Sequence, residues 1–148
     1  MAQRPDIRLT PDEEAAFLRD NRKAALATLD PHGFPHVVAM NFVVRDGAYY
    51  MTSYGKAQKI LNIRRNPKVG VMVETGRAYA ELKGVMVRGH CELIEEPDRV
   101  AEVLGWLGVG RTAERPAGAI RSAPKRVALK ITPTKTVTWD HAKLGGRY

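Results

Sequence analysis

Apolar and polar positions along the chain alternate in short runs, and each run ends in turn or cap chemistry. Thr10-Pro11-Asp12-Glu13 has the composition of a capping box with proline at the first helical position, which predicts a helix through about Asp20. Lys23–Leu29 and Pro35–Val44 are apolar runs separated by Asp30-Pro31-His32-Gly33. This arrangement predicts a β-hairpin with a four-residue loop, although the alanines of the first run would equally suit a helix.

The middle of the chain continues as strand, short helix and strand. Strands are predicted at Ala48–Ser53 and Val69–Glu74, and Pro67 ends the helix between them. The spacing within that helix predicts an inward face formed by Ala57, Ile60, Leu61 and Arg64.

A long strand and a third helix follow. Ala78–Ile94 is predicted as one strand, with Gly84 as a bulge or bend within it. Glu95-Glu96-Pro97 places acids in the first turn of a helix, and its apolar stripe is Val100, Val103, Leu104 and Leu107.

The last part of the chain returns to strand periodicity. Arg111–Ala123 has no sustained period and is predicted as a loop. Apolar and polar residues alternate along Lys125–Trp139. Pro133 interrupts this pattern, which predicts either one kinked strand or two short strands. The tail from His141 is expected to be loosely structured.

These elements predict a mainly β fold with three short helices. Six strands joined largely by hairpins favour a compact antiparallel barrel. The strands are too continuously apolar for one side to face water throughout, so helices or a second subunit must cover part of them. A chain of 148 residues is expected to form one domain, 1–148.

The net charge of the chain favours anionic binding partners but does not distinguish among their classes. The formal charge is +8 and the pI is near 9.9, so the surface favours nucleic acid, anionic lipid or an anionic small molecule. The basic residues are scattered and form no nucleic-acid motif. Cys91 is the single cysteine, which excludes an internal disulfide and fits a reducing compartment. With no signal peptide or membrane span in evidence, we expect a cytoplasmic protein.

One short segment is a candidate anion-binding site. Thr52 and Ser53 close a strand, and Lys56 and Lys59 stand at the start of the following helix. Free backbone N–H groups and the helix dipole at such a start favour a phosphate. The alternative is that a hydroxyl caps the helix while the lysines stay solvated.

Motifs for protein-only catalysis are missing from the sequence. It contains no GxSxG, P-loop or GxGxxG in a strand–turn–helix context and no evident carboxylate pair. His32 and His36 flank a turn without a third candidate ligand, so no metal site is predicted. If the chain is an enzyme, a bound cofactor must supply the chemistry, and no catalytic residue is assigned.

Four blocks in order carry a resemblance to a known family. They are LATLDPHGFPHVVAMNFV, YYMTSYGKAQKILNIRRNPKVGVMVE, VRGHCELIEEP and VALKITPTKTVTWD, within residues 10–140. The chain resembles the pyridoxamine 5′-phosphate oxidase-like split β-barrel flavoproteins, and more closely their branch that uses the deazaflavin coenzyme F420. The resemblance implies a six-stranded antiparallel split barrel that forms a homodimer with cofactor sites at the interface.

The resemblance also implies which residues hold the cofactor. The deazaflavin or isoalloxazine ring would lie along Val37, Val38, Ala39 and Met40. Thr52, Ser53, Lys56 and Lys59 would hold the phosphate. Arg88 and Trp139 would approach from the second subunit. The vitamin B6 oxidases carry Ser-Arg-Lys where this chain has Ala57-Gln58-Lys59, which disfavours pyridoxine phosphate oxidation and FMN relative to F420.

The leading functional hypothesis is an F420-dependent reductase that transfers a hydride between the deazaflavin C5 and a small electron-poor substrate. The alternatives are an FMN-dependent oxidoreductase of the same fold and a non-catalytic F420-binding or carrier protein. Neither nucleic acid nor membrane is an expected partner.

Overall fold

The computed structural model describes residues 3–108 and 125–146. Within them, seven strands form one antiparallel sheet in the order β2-β1-β5-β6-β7-β4-β3. The strands are β1 Lys23–Leu29, β2 Pro35–Asn41, β3 Val43–Arg45, β4 Ala48–Tyr54, β5 Lys68–Thr75, β6 Lys83–Ile94 and β7 Arg126–Asp140. The helices are α1 Pro11–Asp20, α2 Gln58–Arg65 and α3 Pro97–Trp106, with 3₁₀ turns at Tyr79–Glu81 and His141–Leu144.

The mainly β prediction is confirmed, but the strand count of six is wrong. The predicted strand Pro35–Val44 breaks at Phe42, whose ring is buried and stacks on Tyr49 with centroids 5.9 Å apart. The Phe42 N–H still donates to the Arg22 carbonyl beside the start of β1 at 2.9 Å, whereas Val43 already pairs with Tyr50 of β4. β2 pairs with β1 and β3 pairs with β4, at opposite edges of the sheet. The result is a curled sheet that forms a half-barrel.

The first hairpin and the first helix follow the sequence closely. α1 has both hydrogen bonds of the capping box, between Thr10 and Glu13. β1 and β2 pair along their full length, but the loop between them also includes Phe34 and is one residue longer than predicted. The Asp30 carboxylate accepts hydrogen bonds from the Phe34 and His32 N–H groups at 2.8 Å each, which lowers its pKa.

The predicted inward face of α2 is confirmed for Ala57 and Ile60 but wrong for Leu61 and Arg64, which are exposed. Ile60 and Ile63 are buried, whereas Leu61 is 47% exposed. Asn62 is also fully buried, because it donates to the Thr28 hydroxyl at 3.0 Å and accepts from the Gln58 amide at 2.8 Å. A hydrogen-bonded asparagine thus takes an inward position that a count of apolar residues assigns to its neighbour.

The long strand β6 begins at Lys83 and not at Ala78. A 3₁₀ turn precedes it, where the Glu81 carboxylate accepts from the Arg77 and Ala78 N–H groups. The irregularity lies between Arg88 and Gly89, where the pairing with β7 shifts register. Gly84, where a bulge or bend was predicted, instead allows the Trp139 ring to pack closely against β6.

β7 runs without interruption past Pro133 as a single strand. The tail is ordered through Leu144, which is buried, so the prediction of a loose tail is wrong for this part. The Lys143 ammonium lies 2.7 Å from the Glu13 carboxylate and ties the tail to α1. The predicted loop Arg111–Ala123 lies outside the described residues.

The core has two parts. The inner face of the curled sheet packs with α1 and α2 around fully buried side chains, among them Leu26, Met51, Ile60, Leu129 and Ile131. On the outer face, α3 covers Ala48, Tyr50 and Ala128 with Val100, Val103 and Leu104. No helix among the described residues is long and apolar enough to cross a membrane.

Candidate cofactor site

The end of β4 sends its two hydroxyl residues to opposite faces of the sheet. Ser53 is buried on the inner face, and its hydroxyl donates to the Tyr54 carbonyl at 3.4 Å. Thr52 lies on the outer face and accepts from the Arg126 Nη1 at 3.5 Å. Neither hydroxyl caps α2, so the alternative of a hydroxyl-capped helix is wrong.

The start of α2 is open to an anion. Its N-cap is Ala57, which provides no side-chain hydrogen bond, and the first turn holds no acidic residue. Lys56 is exposed just before the cap, and Lys59 is partly exposed in the first turn. The N-terminus of α2 therefore combines unpaired backbone N–H groups, the positive end of the helix dipole and two lysine ammonium groups.

Arg126 is a residue of this region that the sequence did not single out. Its guanidinium lies over the Tyr54 ring, 4.6 Å from the centroid, and beside the Thr52 hydroxyl. Its Nε is buried without a hydrogen-bond partner among the described residues. The pairing of Tyr54 with Arg126 across β4 and β7 creates this arrangement, and the basic pair Lys125-Arg126 was the available signal.

The predicted ring-binding strand lies at a sheet edge. β2 has β1 as its single neighbour in the sheet, so its outer backbone edge is unpaired. Val37 and Ala39 are exposed on the outer face, whereas Val38 and Met40 pack partly against the core. An edge of this kind offers N–H and C=O groups to a ligand or to another chain.

The outer surface of β2, β1 and β5, together with the parts of β6 and β7 that lie away from α3, is not covered by any described element; we call it the open face. Sheet pairing places one apolar row straight across it, made of Ala39, Ala25, Met72, Met86 and Val137. Met72 is 41% exposed, Val137 40% and the neighbouring Val37 59%. Isolated apolar residues on a surface are ordinary, whereas these residues are neighbours across five strands.

Arg88 and Trp139 lie on the open face, towards opposite ends. Arg88 lines a depression of about 520 Å³ together with Lys68, His90 and Thr134. Trp139 lies across Gly84 and donates its indole N–H to the Glu74 carboxylate at 2.9 Å. Gly84 and Arg88 are separated along β6 by roughly 13 Å at the usual strand rise, so the two side chains do not meet within one chain.

Two groups near these elements have raised pKa values that keep them protonated at neutral pH. Burial raises the pKa of the Tyr49 hydroxyl far above its ordinary value, and that of the Cys91 thiol to about 12. Tyr50 is buried against Trp106, whereas Tyr54 is 54% exposed. Among the described residues, no cluster of His, Cys, Asp and Glu could hold a metal ion.

The structure therefore brings together some of the predicted site and separates the rest. Lys56 and Lys59 lie at the start of α2, and the edge of β2 adjoins the open face, whereas the side chains of Thr52 and Ser53 lie on opposite faces of the sheet. Arg88 and Trp139 are remote from the start of α2 in the chain's topology and belong to a different surface.

Solved structures similar to this chain include proteins of several descriptions. A conserved hypothetical protein from Mycobacterium tuberculosis is 34% identical with a TM-score of 0.86, over 100% of this chain and 95% of that one. An F420 reductase is 28% identical with a TM-score of 0.67, over 82% of this chain and 94% of that one. A FAD-binding protein from Mesorhizobium loti, 24% identical with a TM-score of 0.63 over 88% and 92% of the two chains, shares the fold.

A comparison with curated proteins finds no match. A family model described as pyridoxamine 5′-phosphate oxidase matches residues 10–140. That range includes all seven strands of the sheet and the helices α1, α2 and α3. The chain belongs to the pyridoxamine 5′-phosphate oxidase family, within the split-barrel superfamily.

Proposed function

We propose that the protein is an F420-dependent reductase that works as a homodimer. The observation that carries the proposal is the open, basic start of α2 in a chain that is 28% identical to an F420 reductase. Reduced F420, when bound, supplies a hydride from C5 of its deazaflavin. The protein then has to bind, orient and shield the cofactor.

The residues at the start of α2 fit an anionic cofactor tail. A phosphate there would accept hydrogen bonds from the first-turn N–H groups and from Lys56 and Lys59. Arg126 adds a third cation beside Thr52, with a buried Nε that lacks a partner among the described residues. The charge of +8 also suits a ligand that ends in several carboxylates.

The open face supports the homodimer. Its apolar row includes exposed side chains such as Met72 and Val137, and a second copy of the chain would cover them symmetrically. In that arrangement the Arg88 and Trp139 of one copy could approach the cofactor held by the other. The apolar surroundings would exclude water from the ring.

The test is a binding titration of the purified protein with F420 and, in parallel, with FMN. We expect F420 to bind, and Lys59→Ala to raise its Kd roughly 10- to 150-fold, because a charge-assisted hydrogen bond contributes roughly 1.5–3 kcal/mol. Arg99→Ala, which removes an exposed cation from α3, is the matched control and should leave the Kd unchanged.

Two outcomes would contradict the proposal. Unchanged F420 affinity in Lys59→Ala would show that the start of α2 does not hold the tail. Tight FMN binding without measurable F420 affinity would favour an FMN-dependent oxidoreductase of the same fold.

A further inference from the structure

A second cleft lies where α1, the β2–β3 junction and the end of α3 meet. We call it the Trp106 cleft; it is lined by Ala15, Leu18, Arg19 and residues 21–23, 41–44 and 106–107. Its volume is about 590 Å³, within the range of small-molecule sites. No residue that lines it is acidic.

The rim of the Trp106 cleft is cationic and unpaired. Arg19, Arg22 and Lys23 are exposed, and none of them forms a salt bridge with another described residue. The guanidinium of Arg45 lies 4.5 Å from the centre of the Trp106 ring and adds a fourth charge beside the cleft. Uncompensated cations around one concave surface raise the local concentration of anions.

The wall of the cleft is aromatic and held in place. Trp106 is partly buried and meets Tyr50 edge to face, with ring centroids 5.0 Å apart. Phe42 at the β2–β3 junction is buried and stacks on Tyr49. Aromatic and aliphatic walls next to cations suit a planar ligand that carries an acidic group, because the ring packs while the anion meets the rim.

The cleft also lies next to the proposed cofactor strand. Asn41, one of its lining residues, directly follows Met40, the last of the residues proposed to lie along the deazaflavin ring. A molecule in the cleft would therefore lie beyond the end of that strand and away from the start of α2.

We propose that the Trp106 cleft binds the hydride acceptor and selects planar acceptors that carry a carboxylate or a similar acidic group. Its role as an acceptor site rests on the proposed function, whereas its ligand class follows from the cleft alone. Arg19 and Arg22 are the specificity-determining cations, and Trp106 forms the aromatic wall.

The test uses 2-naphthoate as the planar anion and 2-naphthamide as its neutral counterpart, added to cofactor-free protein. The chain has two tryptophans, so a ¹H–¹⁵N NMR spectrum resolves two indole signals, assigned with Trp139→Phe. We expect 2-naphthoate to shift the Trp106 signal and not that of Trp139. 2-Naphthamide should bind about tenfold more weakly, because the ion pairs are lost.

Variants that remove positive charges test where the carboxylate of 2-naphthoate binds. Arg19→Gln/Arg22→Gln should raise the 2-naphthoate Kd about tenfold, whereas Arg77→Gln/Arg99→Gln, which removes two exposed cations elsewhere, should change it less than about twofold. A shift confined to Trp139, or equal affinity for the two naphthalenes, would overturn the proposal.

The two proposals fail separately. If F420 does not bind while the Trp106 signal shifts as expected, the proposed function is wrong, but the proposal that the cleft binds planar anions is supported. If F420 binds but 2-naphthoate leaves the Trp106 signal in place, the cleft proposal alone is overturned.

Discussion

In the middle of β1, β5 and β6, apolar residues lie on both faces of the sheet, but only those on the inner face are covered. On the inner face Leu26, Val71 and Val87 are exposed by at most 2%. On the outer face their immediate neighbours Ala25, Met72 and Met86 form the row that crosses the open face, and Met72 is 41% exposed. Strand alternation therefore reports which residues share a face, but not what covers that face.

The other half of the outer face shows that the chain can cover its own sheet. There α3 buries Tyr50 and Ala128, next to strands whose inner face is the main core. The open face has no such helix among the described residues. The contrast is what makes a second copy of the chain the proposed cover.

The largest expected effect is on the inner face. Leu129→Ala should lower the free energy of unfolding by about 2–5 kcal/mol, because a fully buried leucine leaves a cavity. Leu61→Ala makes the same truncation at a side chain that is 47% exposed, and we expect a loss within about 0.5–1 kcal/mol. Urea unfolding of both variants measures the difference, and equal losses would contradict the division into covered and exposed apolar residues.

The next effect concerns the open face. Met72→Lys should leave the fold intact, since the side chain is 41% exposed, but weaken the proposed homodimer by about 2 kcal/mol, roughly 30-fold in Kd. Analytical ultracentrifugation measures the association. Leu61→Lys, an exposed apolar residue outside the open face, should not change it. A dimer that survives Met72→Lys would show that another surface makes the contact.

A smaller effect is expected where Trp139 lies on the open face. A Cβ on Gly84 would come 2.3 Å from Trp139 Cζ2 and 2.8 Å from the Val73 carbonyl oxygen. Gly84→Ala should displace the indole and lower the free energy of unfolding by about 1–3 kcal/mol. Near-ultraviolet circular dichroism reports the Trp139 environment. An unchanged spectrum would mean that the indole is not held against β6.

The smallest effect concerns the contact between α1 and the tail. Hydrogen bonds from Lys143 and from the Thr10 N–H lower the pKa of Glu13 from 4.5 to about 2. Because the folded-state pKa is depressed, this stabilisation is present above the unfolded pKa and is lost as pH falls towards about 2. The difference in Tm between the wild type and Glu13→Gln should therefore shrink over that interval. Glu102→Gln, an exposed acid on α3, provides the control.

Local chemistry explains the parts of the fold that were predicted well. The α1 capping box, the β1–β2 hairpin and the stripe of α3 each depend on residues a few positions apart. The errors have a common cause in long-range contacts. Phe42 breaks a strand because its ring packs on Tyr49, and Asn62 turns inward because Thr28 and Gln58 satisfy its amide.

The residues proposed for the site divide in the same way, into those that local spacing can identify and those that it cannot. The basic segment at the start of α2 is contiguous, so spacing alone identifies it. Arg126 could not be identified in this way, since its place beside Thr52 depends on the register between β4 and β7. The same limit applies to the Trp106 cleft, whose cations and aromatic wall come from three separate elements.

By itself the sequence determined most of the strands and turns, the basic start of α2 and the resemblance to a flavoprotein family, because these depend on neighbouring residues. It did not separate β2 from β3. The tertiary structure alone decided which apolar face remains open, that no hydroxyl caps α2, and which side chains meet Arg126 and Trp106. Strand pairing and ring packing join residues that are distant along the chain, and no local pattern encodes their register.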